Sequence, residues 1–379
     1  MESVYLPQVL SVLMSIWIAL TGFFSFFTTP QHKQIKNVIY MIGDGMGANH
    51  LEKAKKDRGV ELVMDSFEFR GGAITRSLSG DITDSAAGGT ALATGVRTEN
   101  GMVGVYNGDK DALISYPKNI VELCKENGKM VGIITTDVTS GATPSAFSAH
   151  TSSRENIVEI TEDQLTSDID LIWGRANGFI TESSAEESGY ECIATYNEMM
   201  ALEEGSKSFG QFTNHLWKTV RPDKKTPNLE QMAMKAVDIL DDTDEGFFLM
   251  IEGAHIDKHS HKTRAADMVE ALIEFDETVE AMLRYAEADD ETLVVITADH
   301  ETGGITLKDG EYVFSDGNHS AAPVPVLVYG SDEIIENGEI VDNYMIPIRI
   351  SRILGFEESE FPVSVKTESG EDTMKNTYG

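Results

Sequence analysis

The sequence predicts an α/β fold: a mostly parallel central sheet flanked by helices, with a small inserted cap region. Two observations carry that expectation. Short apolar, β-branched runs recur at residues 38–42 (VIYMI), 131–135 (VGIIT), 247–251 (FFLMI), 293–297 (LVVIT) and 324–328 (VPVLV), and runs of that kind read as buried strands. Between them lie helical patterns at 118–126, 229–240 and 265–285, and strands that alternate with helices pair parallel. With 379 residues, 41% hydrophobic and 25% charged, the chain can bury a large core, and no repeat or long low-complexity tract divides it.

In chain order, residues 1–34 hold an uncharged apolar run, VLSVLMSIWIALTGFFSFF at 9–27. It is long enough for a signal-peptide core or one membrane anchor, so an exported protein is expected: periplasmic, extracellular or membrane-anchored. Residues 35–355 should form the main folded domain. Within them 168–227 is polar, bears Gly and Ser and has weak periodicity, so it reads as an insertion over one end of the sheet. Residues 356–379 are acidic and polar and read as a loosely held tail. Two cysteines, Cys124 and Cys192, fit no zinc finger and allow at most one bridge. The net charge of −33 argues against nucleic-acid and anionic-membrane partners, which such a surface repels. A salty habitat, where the Debye length falls to about 3 Å at roughly 1 M salt, would screen that self-repulsion.

Ligands of parallel sheets bind beyond the carboxyl ends of the strands, so the residue after each apolar run carries information. The first run leads into IGDGMGA, a G-x-G-x-x-A spacing from Gly43 to Ala48. That is the outline of a dinucleotide loop, which points backbone N–H groups at a pyrophosphate. Asp44 puts a carboxylate into that environment, as a metal ligand would. Asp65 stands about where such a loop needs its ribose-binding acid, but that reading leaves the other strand ends unexplained. Glu252 follows the run at 247–251, and Asp299 with His300 follow the run at 293–297. Carboxylates gathered at one edge repel unless a cation sits among them, and oxygen and nitrogen donors suit zinc and magnesium. In EGAHIDKHSH (252–261), Asp257 and His261 stand at i, i+4 on one helical face, with His255 and His259 as a rival pair. In TDSAAGGTALATG (83–95), Ser85 falls at a helix N-terminus, where it could serve as a cap or as a nucleophile whose alkoxide the helix dipole and a metal stabilise. The small residues 86–89 leave room for an anion beside it.

With IGDGMG, TDSAAGGTALATG, EGAHIDKHSH and TADHETGG in that order, the chain resembles the alkaline phosphatase family from about residue 37 to 330. The resemblance implies a two-zinc, one-magnesium phosphomonoesterase. Ser85 would be the phosphorylated nucleophile, and Asp44, Asp299 and His300 would surround the zinc beside it. Asp257, His261 and His319, the last in GNHSAAPVPVLVYG, would hold the second zinc. Glu252 and Thr143, in GATPSAF, would join Asp44 at the magnesium. Arg154, in HTSSR, would grip the phosphate with Asp84 orienting it, and Lys258 would contact phosphate through water. Many relatives carry Asp or His where this chain has Gly141, so the third site departs from the family's pattern. Broad specificity for small-molecule phosphate monoesters and a homodimer are further implications. Diesterase or phosphate-transfer activity within the same superfamily, a dehydrogenase and a non-catalytic metal-binding module are the rival readings. Sulfatases are disfavoured because the residues after Ser85 do not match a C/S-x-P-x-R context.

Overall fold

A computed structural model of the protein describes residues 34–107, 115–212, 226–357 and 361–362. The apolar run at 9–27 and most of the tail lie outside the described residues. A ten-stranded sheet organises the chain. Its strands are β1 (Asn37–Ile42), β2 (Phe69–Ile74), β3 (Met130–Val138), β4 (Leu171–Arg175), β5 (Glu191–Ile193), β6 (Ser208–Phe212), β7 (Phe247–Glu252), β8 (Thr292–Thr297), β13 (Val324–Tyr329) and β14 (Ile340–Asp342). Two small ribbons use β9 (Glu301–Thr302) with β12 (His319–Ser320), and β10 (Thr306–Lys308) with β11 (Glu311–Val313).

The sheet order is β14-β2-β13-β8-β1-β7-β3-β4-β6-β5. Every neighbour pair is parallel except the two that β13 makes, antiparallel to both β8 and β2, so one reversed strand interrupts a common direction. All residues of β1, β7 and β8 are buried. Helices cover both faces of such a sheet, which is why these strands read as continuous apolar runs without alternation. The helix Leu229–Leu240 has the bounds the sequence predicts, and Ala265–Asp289 runs four residues further, to an Asp290 in the left-handed region.

Two expectations are corrected. The described part of 168–227 is not an insertion over the end of the sheet: β4, β5 and β6 fall within it and extend the sheet beyond β3. These edge strands are short, too short to show a clear periodicity, but Trp173, Phe209 and Phe212 anchor them in the core. The tail is not wholly loose, since Phe361 is buried and lies against Gly95. Cys124 and Cys192 are free thiols. Among the described residues, no helix is long and apolar enough to cross a membrane.

Candidate functional site

Register decides where the chemistry collects. Ile42 of β1 lies beside Glu252 of β7 and Thr297 of β8, and Glu252 lies beside Thr135 of β3. β1, β7 and β8 therefore end flush while β3 runs on to Val138, and Asp44, Glu252, Asp299 and His300 emerge at one edge. The turn after β1 is tied to its neighbours: Gly45 N–H donates to Asp299 Oδ1 (3.2 Å), and Thr302 N–H donates to Gly45 O (3.0 Å). Gly45 has φ 74°, and a Cβ there would stand 2.8 Å from Asp257 Cβ. Only glycine suits both that conformation and that approach.

The histidines converge with their lone pairs facing one another. His261 Nδ1 donates to Gly317 O (2.6 Å) and His319 Nδ1 donates to Thr83 O (2.9 Å). A carbonyl accepts only from N–H, so in the neutral rings both Nε2 atoms carry lone pairs. They stand 3.1 Å apart, and Asp257 Oδ1 lies 3.3 Å from one and 3.8 Å from the other. His300 stacks on His319 with ring centroids 3.6 Å apart. Thr302 Oγ1 donates to Asp257 Oδ1 (2.6 Å) and accepts from His300 Nδ1 (3.2 Å). That leaves His300 Nε2 aimed at Ser85 Oγ (3.0 Å), Asp299 Oδ2 (3.3 Å) and Asp44 Oδ1 (3.6 Å).

These groups fit divalent cations. Asp257, His261 and His319 place ligand atoms within 4.8 Å of one another, and so do Asp44, Asp257 and His300. Asp44 Oδ1, Asp299 Oδ2 and Thr143 Oγ1 are buried without a hydrogen-bond partner, a costly state that a cation relieves. Burial, and after it the charges of Asp299, Asp257 and Glu252, raise Asp44 well above the carboxylate range. Burial also raises Asp299. Burial, then His319, lowers His300 to about 3, so its ring stays neutral as a metal ligand must.

Ser85 opens the helix Ser85–Thr94, whose residues are all buried. The cap is Asp84, not Ser85: Asp84 Oδ1 accepts from Ala87 N–H at 2.9 Å, which frees the serine hydroxyl. Asp84 Oδ2 accepts from Gly101 N–H (3.0 Å) and from Arg154 Nη1 (3.2 Å). Gly88 and Gly89 do not leave a space for an anion. A Cβ at Gly88 would lie 2.6 Å from Asp299 O, and one at Gly89 would lie 3.2 Å from Ala146 Cβ. They let the helix close on the end of β8 and on the helix Ala142–Ala146, which sets Ser85 beside His300.

A second group gathers around Glu252. Thr135 Oγ1 donates to Glu252 Oε2, and the buried Thr143 hydroxyl lies close enough to influence the same carboxyl. Burial, and next Asp137, push Glu252 up to about 8. Lys258 pairs with Asp137 Oδ1. His255 reaches Thr136 Oγ1 (3.1 Å), and His259 lies 3.9 Å from Asp267, so the rival pair stands apart from the histidine cluster. Asp65 is bound by Lys55 and Arg70, as a surface acid. Sequence reasoning missed Thr302, Thr135 and Asp137. The strand-end rule would have found Asp137 had it been applied to the run at 131–135 as well.

The sequence profile of the family described as alkaline phosphatase matches residues 35–172 and 174–374. The chain belongs to the alkaline phosphatase family. It is 33% identical to alkaline phosphatase 4 of Bacillus subtilis (strain 168) over 296 residues, 72% of this chain and 63% of that protein. It is 28% identical to the alkaline phosphatase of Escherichia coli (strain K12) over 315 residues, 65% and 66% of the two chains. The match thus spans under two thirds of the Bacillus relative. The structure of the alkaline phosphatase from the Antarctic bacterium TAB5, 28% identical, superposes with a TM-score of 0.74 over 86% of this chain and 100% of that one. Every cluster described above lies within the part of the chain that the alkaline phosphatase profile matches.

Proposed function

We propose that this chain hydrolyses phosphate monoesters by double displacement through Ser85, at a site for two zinc ions and one magnesium ion. The observation that carries the reading is Ser85 Oγ at 3.0 Å from His300 Nε2, at a helix N-terminus and beside buried, unpartnered carboxylate oxygens. Asp257, His261 and His319 would hold one zinc, and Asp44, Asp299 and His300 the other. Asp44 would also serve the magnesium with Glu252 and Thr143. A variant of the TAB5 enzyme solved with magnesium bound supports a third site of that kind. When bound, the ions would act as Lewis acids, lowering the pKa of the serine hydroxyl and stabilising the leaving alkoxide.

The protein's own groups do the rest. Ser85 Oγ attacks phosphorus in line, a bond to Ser85 forms as the ester P–O bond breaks, and the alcohol departs with a proton. The Arg154 guanidinium offers two parallel N–H donors to non-bridging phosphoryl oxygens. Asp84 ties that guanidinium to the helix that carries Ser85, because its two oxygens serve the cap and the arginine at once. Water then attacks the phosphoserine, and inorganic phosphate leaves as Ser85 Oγ is restored. These contacts all go to the phosphoryl group, so the alcohol is read loosely. Lys258 pairs with Asp137, and a contact to phosphate through water is the role proposed for it.

The test is hydrolysis of p-nitrophenyl phosphate and of its bis-ester at alkaline pH, before and after chelation and after adding back zinc and magnesium. Monoester turnover that disappears on chelation and returns with the ions is expected. Cleavage of the diester alone would overturn the substrate assignment. We further propose that the run at 9–27 exports or anchors the enzyme and that it works as a homodimer. Fractionation of the expressing cells and light scattering of the purified enzyme test these two points.

A further inference from the structure

Gly141 offers no side chain to the third cation pocket, yet the space is filled. A Cβ at 141 would meet Asp137 Oδ2 at 2.9 Å and Val138 O at 3.1 Å. The strand β3 loses its register with β4 between Ile134 and Val138, and such irregularities re-aim side chains beside active sites. Asp137 N–H donates to Thr135 Oγ1 (2.8 Å), and Thr135 Oγ1 donates in turn to Glu252 Oε2. Asp137 is thereby linked through one hydroxyl to a carboxylate of the pocket. On its other side Asp137 Oδ1 holds the Lys258 ammonium, with Arg175 Nη2 at 3.7 Å.

Lys258 is the cation that could spoil the site. Its charge already acts on both Asp44 and Glu252. Released from Asp137, a flexible ammonium could turn to those carboxylates and neutralise them in place of a metal. We propose that Asp137 is a positioning residue of the third cation site. Delivered by the irregularity in β3 to the place a side chain at 141 would take, it restrains Lys258 and so sets the pocket's affinity for magnesium. The inference rests on the magnesium assignment above and adds to it a residue and a reason.

Calorimetric titration of magnesium into the zinc-loaded protein tests it, with zinc content per chain as the check on folding. Asp137→Asn should weaken magnesium binding roughly 10–100-fold, the range of outer-shell losses, while zinc content holds. Removing the competitor as well, in Asp137→Asn with Lys258→Met, should recover part of that loss. Gly141→Asp should weaken binding alone, because it crowds Asp137, but in the background Asp137→Ala it should restore binding by returning a carboxylate to the same space. A merely structural Asp137 would show neither recovery. Unchanged magnesium affinity in Asp137→Asn would overturn the inference and leave the phosphatase reading standing. A wild-type protein that takes up zinc but no magnesium would overturn the third-site assignment and this inference together.

Discussion

Acidic residues crowd both ends of the central strands, and the two ends behave differently. At the amino end, Asp241, Asp242 and Asp244 are exposed, Lys36 Nζ lies 3.1 Å from Glu291, and Asp289 accepts from Asn37 Nδ2 (3.2 Å) and Thr292 Oγ1 (2.6 Å). Water and ordinary donors satisfy that cluster. At the carboxyl end, Asp44, Glu252 and Asp299 are buried with almost no cationic partner; oxygens of Asp44 and Asp299 face the His300 lone pair, and Glu252 accepts from Thr135. The number of acids is similar; burial and convergence are not. A metal site is marked by charges the fold has removed from water without pairing them.

Substitutions at the two ends can break or sharpen that contrast. Ser85→Ala should have the largest effect, lowering turnover of a chromogenic monoester about 10⁴-fold or more and abolishing acid-stable labelling by phosphate. A phosphoenzyme trapped at another residue would remove Ser85 from its role. Arg154→Ala should follow, losing about 10²-fold in kcat/KM, the worth of one to two charge-assisted hydrogen bonds. Arg154→Lys should recover little, because an ammonium cannot supply the planar fork.

Next comes the pH dependence of the metal-free protein. Glu252 is held at about 8 against an ordinary 4.5. Between those values the folded state keeps a proton that the unfolded chain has released, so stability falls as pH rises. His300, lowered to about 3 from 6.5, works in the opposite direction, losing stability as pH falls below 6.5, and is silent above it. The Tm of chelated protein should therefore drop between pH 6.5 and 8, whereas metal-loaded protein should show a much flatter profile. Equal slopes in the two forms would mean the buried acids are not metal ligands. The smallest effect belongs to the other end: Asp242→Asn or Asp244→Asn should change stability by no more than about 0.5 kcal/mol and leave zinc content untouched. Loss of metal there would dissolve the distinction between the ends.

Much of this was legible before folding. The five apolar runs became strands, because a strand buried on both faces must be apolar throughout, and the residues after three of them reached the site. What stayed hidden depended on position across the sheet. The edge strands within 171–212 are too short to declare themselves. Asp137 drew no notice in the sequence, because its importance comes from Gly141, Lys258 and Glu252 rather than from its own neighbours in sequence.

The sequence by itself determined the alternation of strands and helices, the acids and histidines at strand ends, and a serine at a helix start, since these follow from local period and composition. Only the tertiary structure decided which lone pairs face one another, that Asp84 and not Ser85 caps the helix, and that Asp137 fills the place of a missing side chain. Those facts depend on distances between segments far apart in the chain, set by strand register and by glycines that let backbones close on one another.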